Sequence, residues 1–187
     1  EGPASSCLPL LVDSSWVAGR VPRIPSTAHK GTRKRLAVIG GGKGMAGAAI
    51  LAGEGALRTG IGLLEILVSS GSEIAVHAAL PAAIVNTWPS RPEDLERLIA
   101  AADAIAIGPG LGQSSAVRDL VERVLLAWTG PVVVDADALN VFSGDILSLA
   151  QLLRGRPAAI TPHPAELARL AGVAVDDVLH GRFDIGL

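Results

Sequence analysis

Two glycine-rich stretches of the chain have the composition of phosphate-binding loops. Residues 40–47 read Gly-Gly-Gly-Lys-Gly-Met-Ala-Gly, and Gly42, Gly44 and Gly47 fit the spacing G-x-G-x-x-G. Glycine lets the backbone approach a phosphate closely, and the amides at the start of a following helix attract negative charge. This stretch predicts a phosphate or nucleotide loop, with a turn that serves only packing as the alternative. Residues 108–112, Gly-Pro-Gly-Leu-Gly, predict a second approach to the same ligand or a tight turn.

Carboxylates and a histidine follow two further apolar runs. Asp135 and Asp137 stand two positions apart at the end of an apolar run, where burial without partners would be costly. They are predicted to be solvated, hydrogen-bonded or directed at a cation or ligand. His163 stands between two prolines in a rigid segment, which favours ligand contact over a buried structural role. Glu166 falls in the first turn of the next helix, where it either contacts the ligand or caps the helix.

Short apolar runs alternate with helical patterns along most of the chain. The apolar runs predict strands at residues 36–40, 63–68, 82–86, 104–108, 131–135 and 158–161. The intervening patterns predict helices at residues 47–59, 91–102, 115–128, 145–153, 165–171 and 175–179. This alternation indicates an α/β fold with a mainly parallel sheet, because parallel strands need helical crossovers. Since ligands of such sheets bind at the carboxyl ends of the strands, the four stretches are expected to converge there.

The composition excludes several classes of protein. Of the 187 residues, 49 % are hydrophobic and 18 % are charged, which excludes disorder and fits one domain. A net charge of −2 provides no field for binding nucleic acid or an acidic membrane surface. With Cys7 as its one cysteine, the chain has no internal disulfide and no structural zinc, and no metal-binding residue is assigned. Because no apolar stretch is long enough to span a bilayer, we expect a soluble protein of the reducing cytoplasm.

In this order, the motifs resemble those of the NAD(P)H-hydrate dehydratase family. They are His29-Lys-Gly, the run 36–49, Leu57-Arg-Thr-Gly-Ile-Gly-Leu, Pro109-Gly-Leu-Gly, Asp135-Ala-Asp-Ala-Leu-Asn and Thr161-Pro-His-Pro-Ala-Glu. The resemblance implies a three-layer α/β/α ribokinase-like fold, with residues 29–187 as the N-terminal portion of the dehydratase domain. Residues 1–28, whose prolines and serines favour no regular element, would be a lead-in or the linker to a preceding epimerase domain.

The resemblance also implies an activity and a set of site residues. Family members are carbon–oxygen lyases that restore NADH and NADPH from their hydrated forms: ADP or ATP phosphorylates the added hydroxyl, and phosphate then leaves. ADP or ATP with Mg²⁺, hydrated NADH or NADPH as substrate, and a homo-oligomer are therefore expected. The residues implied to bind the substrate are Ala49, Gly112, His163, Pro164, Glu166 and Arg169. Those implied to line the loops are Gly42, Gly44, Gly47, Asp135, Asp137 and Asn140.

The chain departs from the family pattern in lacking two segments and, as a minor difference, in having Ala165 where the family usually has Gly. The family's Gly-Thr-Gly-Asp segment, which supplies the catalytic aspartate, does not occur in these 187 residues, and neither does the Lys-Gly-containing strand that holds the adenine nucleotide. We therefore expect a C-terminally incomplete domain that lacks a catalytic residue, is inactive alone and has an open flank on its sheet.

Two other functions are compatible with the sequence. A Rossmann-type NAD(P)-dependent oxidoreductase would use the glycine fingerprint at residues 42–47, with Glu65 near the end of the next strand as its ribose-binding acid. That function demands a reversal of strand order directly beside residues 40–47. The other alternative is a non-catalytic nucleotide-binding protein, which an incomplete active site would also fit.

Overall fold

The computed structural model describes residues 12–21, 24–29, 32–88 and 92–181. Cys7, Lys30 and Gly31 lie outside the described residues. The strands are β1 (Arg35–Ile39), β2 (Leu63–Val68), β3 (Ile84–Thr87), β4 (Ala104–Ile107), β5 (Val132–Val134) and β6 (Ala158–Ile160). The helices are α1 (Ser14–Ala18), α2 (Ala46–Arg58), α3 (Glu73–Ala79), α4 (Pro92–Ala100), α5 (Ser115–Ala127), α6 (Asp137–Asn140), α7 (Ile146–Leu153), α8 (Pro164–Ala171) and α9 (Val175–His180).

All six strands form one parallel sheet in the order β3-β2-β1-β4-β5-β6. The order reverses between β1 and β4, so the loop that follows β1 lies at the switch point of the sheet. In α/β sheets, ligands bind in the crevice outside the carboxyl ends of the strands at such a point. The topology therefore confirms the predicted α/β class and brings residues 40–47 to the expected edge.

Helices cover both faces of the sheet, which gives the predicted three layers. On one face, α4, α5 and α7 pack on an apolar core that includes Ile39, Ile107 and Phe142. On the other face, α2 and α3 pack on a smaller core that includes Val38 and Ile66. These buried side chains hold the strand ends, and with them the loops, in fixed positions.

The second face is bare beyond β4. Val38 on β1 is fully covered, but its neighbour across β4 in the register, Val133 on β5, is 39 % exposed. All three residues of the edge strand β6 are exposed. The sheet therefore has an apolar half-face and a strand edge that the described residues do not cover.

Three helices differ from the sequence-based expectation. Residues 1–28 were expected to contain no regular element, yet Asp13 caps the short helix α1 by accepting a hydrogen bond from the Trp16 amide. Helices α3 and α6 were not predicted, because segments of seven and four residues are too short for their apolar spacing to be distinctive. None of the described helices is long and apolar enough to cross a membrane.

Candidate functional site

Four loops at the carboxyl edge of the sheet are joined side by side through hydrogen bonds. We call these segments loop 1 (40–47), loop 2 (108–113), loop 3 (135–140) and loop 4 (161–169). Loop 3 includes the short helix α6, and loop 4 includes most of α8. Gly41 of loop 1 donates its amide to the Pro109 carbonyl of loop 2 at 2.8 Å. The Gly112 amide of loop 2 donates to Asp137 of loop 3 at 2.8 Å. Loops 3 and 4 are joined by the Thr161 hydroxyl, which donates to Asp135 at 2.8 Å. The predicted convergence of the four loops is therefore present.

The glycines of loop 1 have two different environments. A Cβ added at Gly42 would lie 2.7 Å from the Leu111 carbonyl oxygen, so a side chain there would separate loops 1 and 2. Gly44, in the left-handed region at φ +78°, and Gly47, in the first turn of α2, would meet no heavy atom of the described residues within 4 Å. Gly42 therefore serves packing between loops 1 and 2, whereas Gly44 and Gly47 leave open space above loop 1.

Ala49 lies beneath loop 1 and not on its surface. Its side chain is 0 % exposed in the core of the α2 face. A Cβ at Gly41 would come within 3.0 Å of the Ala49 methyl group, which shows how closely the helix approaches the loop. Ala49 therefore sets the spacing between α2 and loop 1, and its implied part in substrate binding stays a prediction.

Loop 3 begins with a strained residue. Ala136 has φ +49° and ψ −120°, and among the described residues it is the only non-glycine with a positive φ. An alanine in this region costs conformational energy, and such strain persists only where the surroundings enforce it. Gly108 makes room for this backbone turn, because a Cβ at Gly108 would lie 1.7 Å from the Asp135 carbonyl oxygen. This turn directs the carboxylates of Asp135 and Asp137 toward different loops.

Asp135 and Asp137 are both hydrogen-bonded, which was one of the options predicted for them. Asp135 Oδ1 accepts the Thr161 hydroxyl. The two oxygens of Asp137 accept the Gly112 amide and, at 3.1 Å, the side-chain amide of Gln113. Asn140 completes the loop by accepting two N–H groups of Arg169, at 2.8 Å from Nη2 and 3.1 Å from Nε.

His163 and Glu166 form the N-terminal cap of α8. His163 Nδ1 accepts the Ala165 amide at 3.2 Å, and Glu166 Oε2 accepts the His163 backbone amide at 2.9 Å. The His163 side chain is 59 % exposed, whereas that of Glu166 is 8 % exposed. Glu166 thus caps α8 with a buried carboxylate, and its implied contact with the substrate stays a prediction. Pro164 is exposed at the first position of the helix, where its missing N–H has no cost.

Several residues of the site were not singled out from the sequence. Gln113 and Thr161 bind the two aspartates, and Ser69 and Ser72 donate their hydroxyls to the carbonyls of Gly41 and Gly42. Ser69, Ser72 and Gln113 follow predicted strands and Thr161 ends one, so their position at the carboxyl edge was a usable signal. Their partners were not predictable, because each contact joins residues more than 20 positions apart.

A family model for NAD(P)H-hydrate dehydratase matches residues 36–183. The chain belongs to the NAD(P)H-hydrate dehydratase family. The match begins at β1 and extends beyond α9, so it includes all four loops. Family membership also decides between the alternatives considered from the sequence, and it favours the dehydratase over the Rossmann-type oxidoreductase.

Curated dehydratases and solved structures agree with this assignment. The bifunctional NAD(P)H-hydrate repair enzyme Nnr of Moorella thermoacetica is 35 % identical in an alignment that covers 94 % of this chain and 34 % of that protein. The ADP-dependent (S)-NAD(P)H-hydrate dehydratase of Lactiplantibacillus plantarum is 35 % identical, over 89 % of this chain and 59 % of that protein. The structure of the Bacillus subtilis ADP/ATP-dependent NAD(P)H-hydrate dehydratase, co-crystallized with ATP/Mg²⁺, superposes with a TM-score of 0.74 at 34 % identity, covering 90 % of this chain and 58 % of that one.

The ribokinase-like fold is shown by the same comparisons. A ribokinase-like superfamily protein of Enterococcus faecalis superposes with a TM-score of 0.72 at 26 % identity, over 83 % of this chain and 54 % of that one. The chain thus spans between about a third and three fifths of the length of these family members.

Strand order alone would not have separated the dehydratase from a dinucleotide-binding oxidoreductase. The reversal beside loop 1, which the oxidoreductase demands, is present in this family member as well. The position of Glu65 differs from what the oxidoreductase requires. Glu65 lies in the middle of β2, is 5 % exposed and accepts a hydrogen bond from Asn86 on β3 at 2.8 Å. A side chain in that position does not reach the carboxyl edge, where a ribose would lie.

The described residues do not fit a resident magnesium ion. Among them, no group of three or more His, Cys, Asp or Glu side chains could hold a metal. Asp137 is the acid most surrounded by polar groups, but both of its oxygens face N–H donors. A cation at Asp137 would have to displace those donors, so the described residues offer no preformed magnesium site.

Proposed function

We propose that this chain forms the substrate side of an ADP-dependent (S)-NAD(P)H-hydrate dehydratase. The observation that carries the proposal is the continuous row of four hydrogen-bonded loops at the switch point of a sheet whose sequence belongs to this family. The substrate is hydrated NADH or NADPH, and the phosphoryl donor is ADP or ATP.

The reaction removes the elements of water from the hydrated dihydronicotinamide ring. The added hydroxyl oxygen attacks the terminal phosphorus of ADP or ATP and gives up its proton, the bond from that phosphorus to the bridging oxygen breaks, and AMP or ADP leaves. This step converts a poor leaving group into a phosphate ester. The carbon–oxygen bond then breaks, phosphate leaves with the bonding electrons, and loss of a proton from the neighbouring carbon restores the double bond. Such a reaction depends on positioning the hydroxyl and on stabilising the charge of the phosphoryl group.

The four loops supply the positioning. Gly44, Gly47 and Gly112 lie where an added side chain would meet little or no protein, so a dinucleotide can approach the backbone there. The His163 side chain is 59 % exposed, so its Nε2, which lies 3.2 Å from Glu166 Oε1, remains accessible to a ligand oxygen. We assign Arg169, fixed by Asn140, to the same substrate surface.

The phosphoryl-transfer apparatus belongs, in this proposal, to the part of the family domain that the chain does not span. The Mg²⁺ expected with the nucleotide would be bound through phosphate oxygens and that other part. Residues 1–28 are proposed to be a lead-in or a linker to an epimerase domain, with 29–187 as the N-terminal portion of the dehydratase domain. The cytoplasm is the proposed location.

Binding and turnover by the 187-residue chain test the proposal. We expect hydrated NADH to bind in NMR titrations and to shift the amides of Gly44, Gly47 and Gly112, while no dihydronicotinamide absorbance returns with ADP or ATP. A fusion to the complementary segment of the Lactiplantibacillus plantarum relative should restore that absorbance. If NADH or NAD⁺ binds and hydrated NADH does not, the dehydratase assignment is wrong.

Self-association is a separate part of the proposal. The bare half-face around Val133 and the exposed edge strand β6 are the kind of surface that pairs with another chain. We expect β6 amides to exchange fast and the chain to form oligomers in sedimentation experiments. A monomer with fully protected β6 amides would contradict this expectation.

A further inference from the structure

Asp137 joins loop 3 to loop 2 and, through Asn140, to loop 4. Its Oδ2 accepts the Gly112 amide at 2.8 Å, and its Oδ1 accepts the Gln113 side-chain amide at 3.1 Å. Asn140 Nδ2 approaches the same Oδ1 at 3.4 Å, and Asn140 Oδ1 accepts both N–H groups of Arg169. A path of hydrogen bonds therefore runs from the backbone of loop 2 through Asp137 and Asn140 to loop 4.

The direction of every hydrogen bond on this path is fixed by the Asp137 carboxylate. An ionised carboxylate only accepts, so Gly112, Gln113 and Asn140 must all present N–H groups to it. Asn140 then has only its oxygen left for Arg169, which can only donate. Since the Gly112 amide belongs to the backbone, it cannot reverse its direction, and the whole path has a single consistent arrangement.

The backbone at Ala136 places Asp137 for this purpose. The strained φ of +49° turns the chain directly after β5, so that Asp135 faces Thr161 and Asp137 faces loop 2. Strain of this kind is typical of residues that hold a functional group in position. The strain at Ala136 does not serve a contact of Ala136 itself, because alanine carries no polar side chain.

We propose that Asp137 is a positioning residue, which sets the conformation of loop 2 and the orientation of Arg169 together and thereby makes the substrate surface a single unit. The proposal rests on the proposed function for the identity of the ligand. The coupling between Gly112 and Arg169 can be measured without any ligand.

The substitution Asp137→Asn tests the polarity of the path without changing its shape. An amide can keep its oxygen toward Gly112, but its NH₂ then faces Asn140. If Asn140 reverses its amide to accept, it presents NH₂ to Arg169 and releases it. We expect the affinity of the 187-residue chain for hydrated NADH to fall at least tenfold, while the matched exposed variant Asp119→Asn on α5 binds as the wild type does.

A second variant separates positioning from general loss of structure. In the double variant Asp137→Asn, Asn140→Asp, the NH₂ group at position 137 faces a carboxylate at position 140, which also accepts from Arg169. The hydrogen-bond path is restored, with the donor and acceptor exchanged between positions 137 and 140. We expect the affinity for hydrated NADH to return to within about threefold of wild type. A folded double variant that binds as poorly as Asp137→Asn would overturn the proposal, as would a single variant that binds normally.

The ligand-free measurement uses the Gly112 amide and Arg169 Nε resonances in ¹H–¹⁵N spectra. Both should shift in Asp137→Asn and both should return in the double variant. If the wild-type chain does not bind hydrated NADH, the proposed function fails, and these two resonances still decide the positioning role. Shifts at Gly112 alone, with Arg169 unchanged, would show that the two loops are not coupled and would refute the proposal.

Discussion

Glu166 holds His163 at two points: its Oε1 lies 3.2 Å from His163 Nε2, and its Oε2 accepts the His163 backbone amide at 2.9 Å. Because His163 Nδ1 accepts the Ala165 amide, the ring is held with its proton on Nε2. The Ala165 amide and the buried Glu166 carboxylate thereby both favour the Nε2–H tautomer of this exposed imidazole.

The substitution Glu166→Gln should disturb this tautomer while keeping the capping box. Glutamine can still accept the His163 amide, but its NH₂ then faces Nε2, and a proton moved to Nδ1 would face the Ala165 N–H. We expect a loss of about 1 kcal/mol in the free energy of unfolding, the scale of one lost hydrogen bond. The ring ¹⁵N shifts of His163 should report a mixture of tautomers. An unchanged Nε2–H tautomer would contradict this prediction.

Two substitutions at His163 separate its cap from its ring. His163→Ala removes both, whereas His163→Asn keeps a side chain that is favourable at a helix N-cap. Both should weaken the binding of hydrated NADH by about 1–3 kcal/mol, because a ligand group loses its hydrogen bond. Only His163→Ala should also lower the free energy of unfolding, by about 1 kcal/mol. Calorimetric binding and urea unfolding measure the two effects, and normal binding by both variants would exclude His163 from the substrate surface.

Adding a methyl group at two glycines should have opposite effects on stability. Gly108→Ala places a Cβ 1.7 Å from the Asp135 carbonyl oxygen at φ +133°, so we expect a destabilisation of about 3 kcal/mol or more. Gly47→Ala adds a methyl group in the first turn of α2, where no described atom lies within 4 Å, and should stabilise the fold by about 0.5–1 kcal/mol.

The same Gly47→Ala variant tests where the ligand lies. A methyl group that stabilises the fold but weakens binding of hydrated NADH would place the dinucleotide against the start of α2. Unfolding and binding are measured on one preparation, with Gly55→Ala as the control, since that glycine also lies in open space on α2 but farther along the helix. Equal affinities of Gly47→Ala and Gly55→Ala for hydrated NADH would show that the ligand does not contact the start of α2.

Acid stability should depend on Asp145. The Arg118 guanidinium donates to Asp145 Oδ2 at 2.7 Å, and with the hydrogen bond from Ser148 it holds the pKa of Asp145 below its ordinary value of 3.8. The folded protein therefore favours the ionised form, and this contribution is present above pH 3.8 and is lost as the pH falls through the lower folded-state value. The Tm of the wild type should drop more steeply below about pH 4 than that of Asp145→Asn. Parallel curves, with Asp119→Asn as the reference, would argue against this role.

The sequence predicted the sheet well because its signal is local. Each strand is a short apolar run, and each long helix has a recognisable pattern, so β1, β4 and α5 were expected close to where they occur. Glu166 was also interpretable, since an acid in the first turn after a proline fits a cap. Ala49 was not, because its burial depends on how closely α2 approaches Gly41, which is a property of the packed helix and not of the local sequence.

The glycines show the limit of the sequence most clearly. Gly42 and Gly44 belong to the same fingerprint, and the spacing treats them alike. Only the adjacency of β1 and β4, two strands separated by 64 residues between Ile39 and Ala104, places Leu111 against Gly42 and leaves Gly44 open. The contact between Gln113 and Asp137 was not predictable for the same reason, since it joins the loop after β4 to the loop after β5.

The lateral bonding of the loops has a consequence for how this site can vary during evolution. Each loop is hydrogen-bonded to the loop beside it, as in the contacts of Gly41 with Pro109 and of Gly112 with Asp137. A substitution at an exposed position such as Gln113 can therefore alter the ligand surface two loops away while the apolar core is unchanged. Members of this family could adjust substrate preference through exposed loop positions such as Gln113. At these positions, paired substitutions in neighbouring loops should be commoner than substitutions paired with core residues.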